Sequence, residues 1–186
     1  MKCLLDLDGV LTDFRAASHG FYDVPYSYDE YPYPYGVWDY LPILLSSLGM
    51  TADEFWGGLT TDFWATLPWT PDGREILALV ESYFTKGNIC LLTTPTFSQS
   101  AAGKMKWIER ELPCYANQFI LSPAKSFCAS KSSVLIDDAD HNLDTFADSG
   151  GFTILIPRKW NSLHEKDTLS ALEKSLNLLL EYEKKN

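Results

Sequence analysis

No apolar run in this 186-residue chain is long enough to cross a bilayer, which excludes a membrane-spanning helix. The first apolar stretch follows Met1 almost at once and leaves no room for a secretory leader, so a soluble protein of the cytoplasm is expected. Cysteine is scarce. The four residues, at positions 3, 90, 114 and 128, form no CxxC and no Cys/His spacing, which argues against a zinc site and a disulfide framework. Cations are also short: 15 Lys and Arg face 25 Asp and Glu, for a net charge of -10. That balance disfavours a long nucleic-acid partner, which usually requires a basic surface. It does not exclude a small phosphorylated molecule, because a metal and a few lysines can reverse the field locally. Internal repeats are absent. With 46% hydrophobic residues a full core can be built, and the length suits one α/β core with a modest insertion.

The chain is organised around Cys3-Leu4-Leu5-Asp6-Leu7-Asp8-Gly9-Val10-Leu11-Thr12-Asp13. Cys3 to Leu7 is apolar without strict alternation and reads as a strand buried on both faces. Gly9 permits a sharp exit from it. Carboxylates this close at the mouth of a buried strand resist joint ionisation unless a cation meets them. A hard divalent ion such as Mg2+ suits oxygen ligands and keeps waters that a phosphate can replace. In an open α/β sheet ligands bind beyond the carboxyl ends of the strands. Asp6 is therefore a candidate nucleophile on the site floor, and Asp8 a candidate acid and base one step above it.

Downstream the pattern alternates. A short helix covers Asp13 to His19, and an aromatic loop rich in Tyr and Pro, with its rings packed over the core, covers Phe21 to Gly36. Helices are predicted over Val37–Leu48, from Thr51 through Trp56 behind a capping box, and near Thr60–Ala65. Residues 67–73 read as a linker. A helix then carries Ile76, Leu77, Val80 and Phe84 at helical spacing and stops at Gly87. Further strands are expected at Asn88–Leu92, Gln118–Leu121, Ser133–Ile136 and Phe152–Ile156. Helices are expected at Ser98–Leu112, Asn142–Ser149 and Asp167–Lys184. The alternation predicts a parallel sheet in an α/β fold, because right-handed crossovers need the intervening helices. The division expected is a core of residues 1–15 and 73–186 with a mainly helical insertion at 16–72.

Each of the first four strands delivers polar groups at or after its carboxyl end: Asp6 and Asp8; Thr93 and Thr94; Lys125; Asp137 and Asp138. Singly, each has an ordinary explanation as a strand ending, a solvated lysine or a helix cap. Together they suit phosphoryl transfer, in which positioning and electrostatics do most of the catalysis. Thr93 would donate to a phosphate oxygen with help from the Thr93–Thr94 turn. Lys125, with Lys131 as its competitor, would hold the phosphate and offset the charge of Asp6.

The run Asp6-Leu7-Asp8-Gly9-Val10-Leu11-Thr12-Asp13 and the three later groups resemble, in order and approximate spacing, the four signatures of the haloacid dehalogenase (HAD) superfamily. More narrowly, the chain is similar to the 5'(3')-deoxyribonucleotidases. The resemblance covers most of the chain and is weakest between Gly20 and Tyr35 and in the last helix. It implies a HAD-like three-layer sheet with a small helical cap after the first strand, and a phosphatase rather than an ATPase, since pumping members carry Thr where Asp8 stands. It implies Mg2+ held by Asp6, the Asp8 carbonyl and Asp138, with Asp137 behind them, the reverse order of the two neighbouring aspartates being the alternative. It also implies base-facing aromatic residues at Phe14, Trp38 and Trp56, with Val37 where the family can have Phe. Phe63, Trp64 and Trp69 are further aromatic candidates, Trp64 reading better as cap core. The substrate implied is a nucleoside monophosphate. Another small phosphate monoester, such as a sugar phosphate, is the nearest alternative, and a non-catalytic binding module the alternative of a different class. A homodimer is left open, as is the role of Trp160-Asn161.

Overall fold

Apolar runs at Lys2–Leu5 (β1), Ile89–Thr93 (β2), Phe119–Leu121 (β3), Ser133–Asp137 (β4) and Phe152–Leu155 (β5) pair into one sheet in the computed structural model, which describes residues 1–185. All four pairings are parallel and the order is β3-β2-β1-β4-β5. The α/β class and parallel sheet are as the alternation predicts. β1 is central, and Cys3, Leu5, Leu91, Val134 and Ile136 are fully buried, as strands covered on both faces require.

The helices are Phe14–Phe21 (α1), Leu41–Leu48 (α2), Ala52–Gly58 (α3), Thr61–Ala65 (α4), Gly73–Tyr83 (α5), Ser98–Glu111 (α6), Asp140–Asp148 (α7) and Thr168–Lys185 (α8). α3 begins with the predicted box: Thr51 Oγ1 accepts from Glu54 N (3.3 Å) and Glu54 Oε2 accepts from Thr51 N (2.8 Å). Two boundaries differ from expectation by more than two residues. α2 starts at Leu41, not Val37, because Pro42 falls in its first turn and restricts the residues before it. α5 stops at Tyr83, not Gly87, because Phe84 turns extended and buries its ring; a 3-10 turn, Lys86–Asn88, follows.

Residues 22–40 form no regular element. Several of their rings pack inward: Tyr31, Tyr33 and Tyr40 are buried and share one hydrophobic cluster with Leu5, Leu7 and Val10, whereas Tyr35 and Trp38 are exposed. His19, at the end of α1, anchors the loop through Nδ1 to the Arg15 carbonyl (2.6 Å) and Nε2 to the Tyr33 hydroxyl (2.5 Å). α4 lies hard against α6, where Gly103 makes room: a Cβ there would sit 2.3 Å from the Trp64 Cβ. Among the described residues no helix is long and apolar enough to cross a membrane.

Candidate active site

The sheet order reverses between β1 and β4, which is where an open α/β sheet forms a crevice. Leu5 pairs with Leu91 on one side and Ile136 on the other, so the three strands end side by side. Asp6 leaves β1, Asp137 closes β4, and Asp138 follows; these three buried residues bring one oxygen each to within 4.8 Å of one another. Lys125 arrives from the 3-10 turn Lys125–Cys128 after β3. Its Nζ lies 2.7 Å from Asp6 Oδ1 and 2.6 Å from Asp137 Oδ2, and the residue is 3% exposed. Burial alone would discharge this ammonium, but the two carboxylates outweigh it and raise its pKa. Burial pushes Asp6 up to about 7, with Lys125 pulling down and Asp137 and Asp8 pushing up. Asp138 is raised for the same reasons, burial first and then Asp137 and Asp6. Lys131 is exposed and plays no part in this cluster.

Asp137 and Asp138 are adjacent but differently occupied. Asp137 accepts from Lys125, from Ala139 N (2.9 Å) and from Asn142 Nδ2 (3.1 and 3.3 Å). Asp138 Oδ2 accepts from the Trp160 indole (2.7 Å), whereas its Oδ1 is buried with no hydrogen-bond partner. An orphaned buried carboxylate oxygen is costly. Here it sits in an all-oxygen cluster, which is the donor set of a hard divalent cation. The residues therefore fit the ion that the sequence implies.

Asp8 stands above this cluster. Thr12 Oγ1 donates to its Oδ1 (2.9 Å) and Lys104 Nζ to its Oδ2 (2.5 Å). The same ammonium donates to Thr93 Oγ1 (2.9 Å) and the Thr94 carbonyl (2.6 Å). All three of its hydrogens are thus engaged. Because Thr93 Oγ1 accepts from Lys104, its own hydrogen is left to donate elsewhere. The Thr94 hydroxyl turns aside, to the Ser122 carbonyl (3.4 Å).

A cavity of about 230 Å3 opens over Asp8, Gly9 and Asp138. Phe14, Trp38, Trp56 and Trp64 supply its apolar wall, with Arg15, Asp13, Asp39 and Thr96 among its polar edges. Phe14 stacks between two indoles, 5.7 Å from Trp56 and 4.9 Å from Trp64. Asp6, Thr93 and Lys125 lie beneath the cavity, outside its lining. Val37 is 43% exposed and lies off its wall; the partly buried Phe63 and Trp69 also lie off it, Trp69 packed on Trp107 and bonded to Glu111.

Comparison with known sequence families matches residues 1–174 to the family described as "5' nucleotidase, deoxy (Pyrimidine), cytosolic type C protein". The chain belongs to this family. As a 5' nucleotidase family member it is a phosphatase, a phosphoric monoester hydrolase. No curated protein matches it. Among solved structures, a HAD family enzyme from Bacteroides thetaiotaomicron, in complex with magnesium and inorganic phosphate, is similar at 14% identity, covering 85% of this chain and 94% of that one with a TM-score of 0.42. A magnesium complex of the same enzyme gives 16% identity, 89% and 98% coverage and a TM-score of 0.43.

In this nucleotidase family member, three buried cations escaped the reading of the sequence. Lys104 is 2% exposed on the inner face of α6. Its signal was its place at helical spacing among Ser100, Trp107 and Ile108, where a solvated lysine does not belong. Arg158 clamps Asp72 with two 2.8 Å bonds and donates to the Gly9 carbonyl (2.6 Å), tying the turn after β1 to the linker. Arg15 lies 4.1 Å from the Tyr40 ring centroid and 4.2 Å from that of Trp160. No local pattern marks either arginine.

Proposed function

We propose that this chain is a Mg2+-dependent 5'-nucleotidase that hydrolyses nucleoside monophosphates, deoxyribonucleotides in particular, through a phosphorylated Asp6. The observation that carries the reading is the buried Lys125, 2.7 Å from Asp6 and 2.6 Å from Asp137, beside an Asp138 oxygen with no partner. An aromatic cavity directly above, of a size to take a planar base, supports the substrate class. Residues 16–72 act in this reading as a cap on a core of 1–15 and 73–186.

Asp6, the Asp8 carbonyl and Asp138 would hold Mg2+, with Asp137 supporting from behind through Lys125 and Asn142. Bound there, the ion supplies a positive charge against which phosphoryl oxygens are neutralised. Lys125 and the Thr93 hydroxyl complete the cradle for the phosphate, with the Thr94 turn beside it. An Asp6 oxygen attacks phosphorus while the bond from phosphorus to the nucleoside oxygen breaks. That oxygen takes its proton from the Asp8 carboxyl group. Asp8, now a carboxylate, removes a proton from water, which attacks the same phosphorus. The bond to Asp6 breaks, inorganic phosphate leaves, and Asp8 is protonated again. Phe14, Trp38 and Trp56 flank the base.

Asp6→Asn should remove hydrolysis of dUMP and dTMP, on the order of 10⁴-fold or more, with the circular dichroism spectrum unchanged. Undiminished phosphate release by that variant excludes Asp6 as nucleophile. The wild-type protein should prefer nucleoside monophosphates in a panel of phosphate esters with Mg2+; preference for sugar phosphates defeats the substrate assignment.

A further inference from the structure

Trp160 and Asn161 follow β5 and take no part in the chemistry above, yet both are buried, at 1% and 0% exposure. They grip a single residue from two sides. The Trp160 indole N–H donates to Asp138 Oδ2 (2.7 Å), and Asn161 Nδ2 donates to the Asp138 backbone carbonyl (2.9 Å). Asn161 is itself fixed, donating also to the Ile156 carbonyl (2.8 Å) and accepting from Arg158 N (3.2 Å) and Leu163 N (3.1 Å). The indole plane is held by Arg15, whose guanidinium lies 4.2 Å from its ring centroid and donates to the Trp38 carbonyl (2.7 Å). On the other side Gly9 leaves the carboxylate just enough space: a Cβ there would stand 2.0 Å from Asp138 Oδ2.

A free carboxylate can turn and offer a cation both oxygens. Asp138 has one oxygen engaged by an indole and its backbone clamped, which leaves the partnerless Oδ1 as the oxygen free for a cation beside Asp6 and Asp137. We propose that Trp160 and Asn161 are positioning residues that present Asp138 to the cation as a one-oxygen ligand. This rests on the reading of Asp6 and Asp138 as cation ligands given above. A one-oxygen carboxylate suits the strict octahedron of Mg2+. Ca2+ tolerates larger, irregular shells and readily accepts two-oxygen carboxylates. The pair therefore favours Mg2+ over Ca2+ as well as strengthening binding.

The test is a thermal-shift titration of the metal-stripped full chain with Mg2+ alone and with Ca2+ alone. In Trp160→Phe, which keeps a ring but loses the donor, the Mg2+ midpoint should rise about 10- to 100-fold, the usual effect of removing a partner of a ligand. The Ca2+ midpoint should rise less, so the ratio of the Ca2+ midpoint to the Mg2+ midpoint falls. Asn161→Ala leaves the indole bond in place and should raise the Mg2+ midpoint by a smaller factor. An unchanged or lowered Mg2+ midpoint in Trp160→Phe overturns the proposal, as does an equal rise for both ions. A lower melting temperature with unchanged midpoints marks a packing role only and also overturns it. If Trp160→Phe does not fold, Asn161→Ala decides alone, and an unmoved Mg2+ midpoint there is fatal. A wild-type protein that ignores Mg2+ sinks the ligand reading itself, and this inference with it.

Discussion

Around Lys125 the contacts are charge to charge, 2.6 and 2.7 Å from one oxygen each of Asp137 and Asp6. Around Tyr31 they are ring to ring, with centroids 5.7 to 6.3 Å apart and interplanar angles from 11° to 83°. Both regions are buried, but they tolerate change differently. A buried ion cluster depends on each member, because removing one leaves a charge with no water and no partner. Aromatic rings gain chiefly from area and accept several geometries, so the Tyr- and Pro-rich segment can cover the core without regular structure.

The largest effect expected is from Lys125→Met. It leaves Asp6 and Asp137 buried without their cation and should cost about 3–5 kcal/mol in urea unfolding, with phosphatase activity lost. A loss below about 1 kcal/mol would erase the distinction drawn here. Lys104→Met comes next. It releases Asp8 and Thr93 together and should lower kcat by about 10²-fold with KM little changed, as steady-state phosphate release would show. A change confined to KM would mean that Lys104 acts on substrate binding instead.

Aromatic packing elsewhere, at the cavity wall and behind it, should respond more gently, as it does around Tyr31. Trp56→Ala removes one wall of the cavity and should weaken nucleotide binding by about 1–3 kcal/mol, read as KM. Trp69→Ala, off the cavity against Trp107, should leave KM alone; equal effects from the two would show that bulk packing rather than the wall matters. The smallest effect is set by His19. Burial depresses its pKa below the ordinary 6.5, against an opposing pull from the Arg15 carbonyl. The unfolded chain therefore takes up a proton near pH 6.5 that the folded chain refuses. The stability contribution is complete above that pH and is lost as pH falls toward the lower folded value. Urea melts on either side of pH 6.5 should show this slope, and His19→Gln should flatten it; an unchanged slope would assign it to other groups.

Much of the fold was legible because it rests on local causes. Apolar runs, Gly9, Pro42 and the Thr51 capping box each act within a few residues, and the elements appear within two residues of where they were expected apart from one end each of α2 and α5. Those ends moved for reasons outside their helical pattern: the geometry before a proline and the burial of Phe84. Asp6, Thr93, Lys125 and Asp138 could be nominated because strands of a parallel sheet deliver their carboxyl ends to one edge. Lys104 could not be nominated from such a rule, since it enters from the middle of α6 rather than from a strand end.

By itself the amino-acid order determined that five short apolar strands alternate with helices and that carboxylates, hydroxyls and a lysine leave their ends. Backbone preference and hydrophobic periodicity suffice for that. Only tertiary structure decided which cation meets which carboxylate. Lys125 is 119 residues from Asp6 and Lys104 is 96 residues from Asp8. It also decided which Asp138 oxygen is free, by placing an indole from 22 residues away on the other one. The physical reason is range: propensities act over a turn or a strand, whereas a buried charge is settled by whatever the folded chain brings within 3 Å of it.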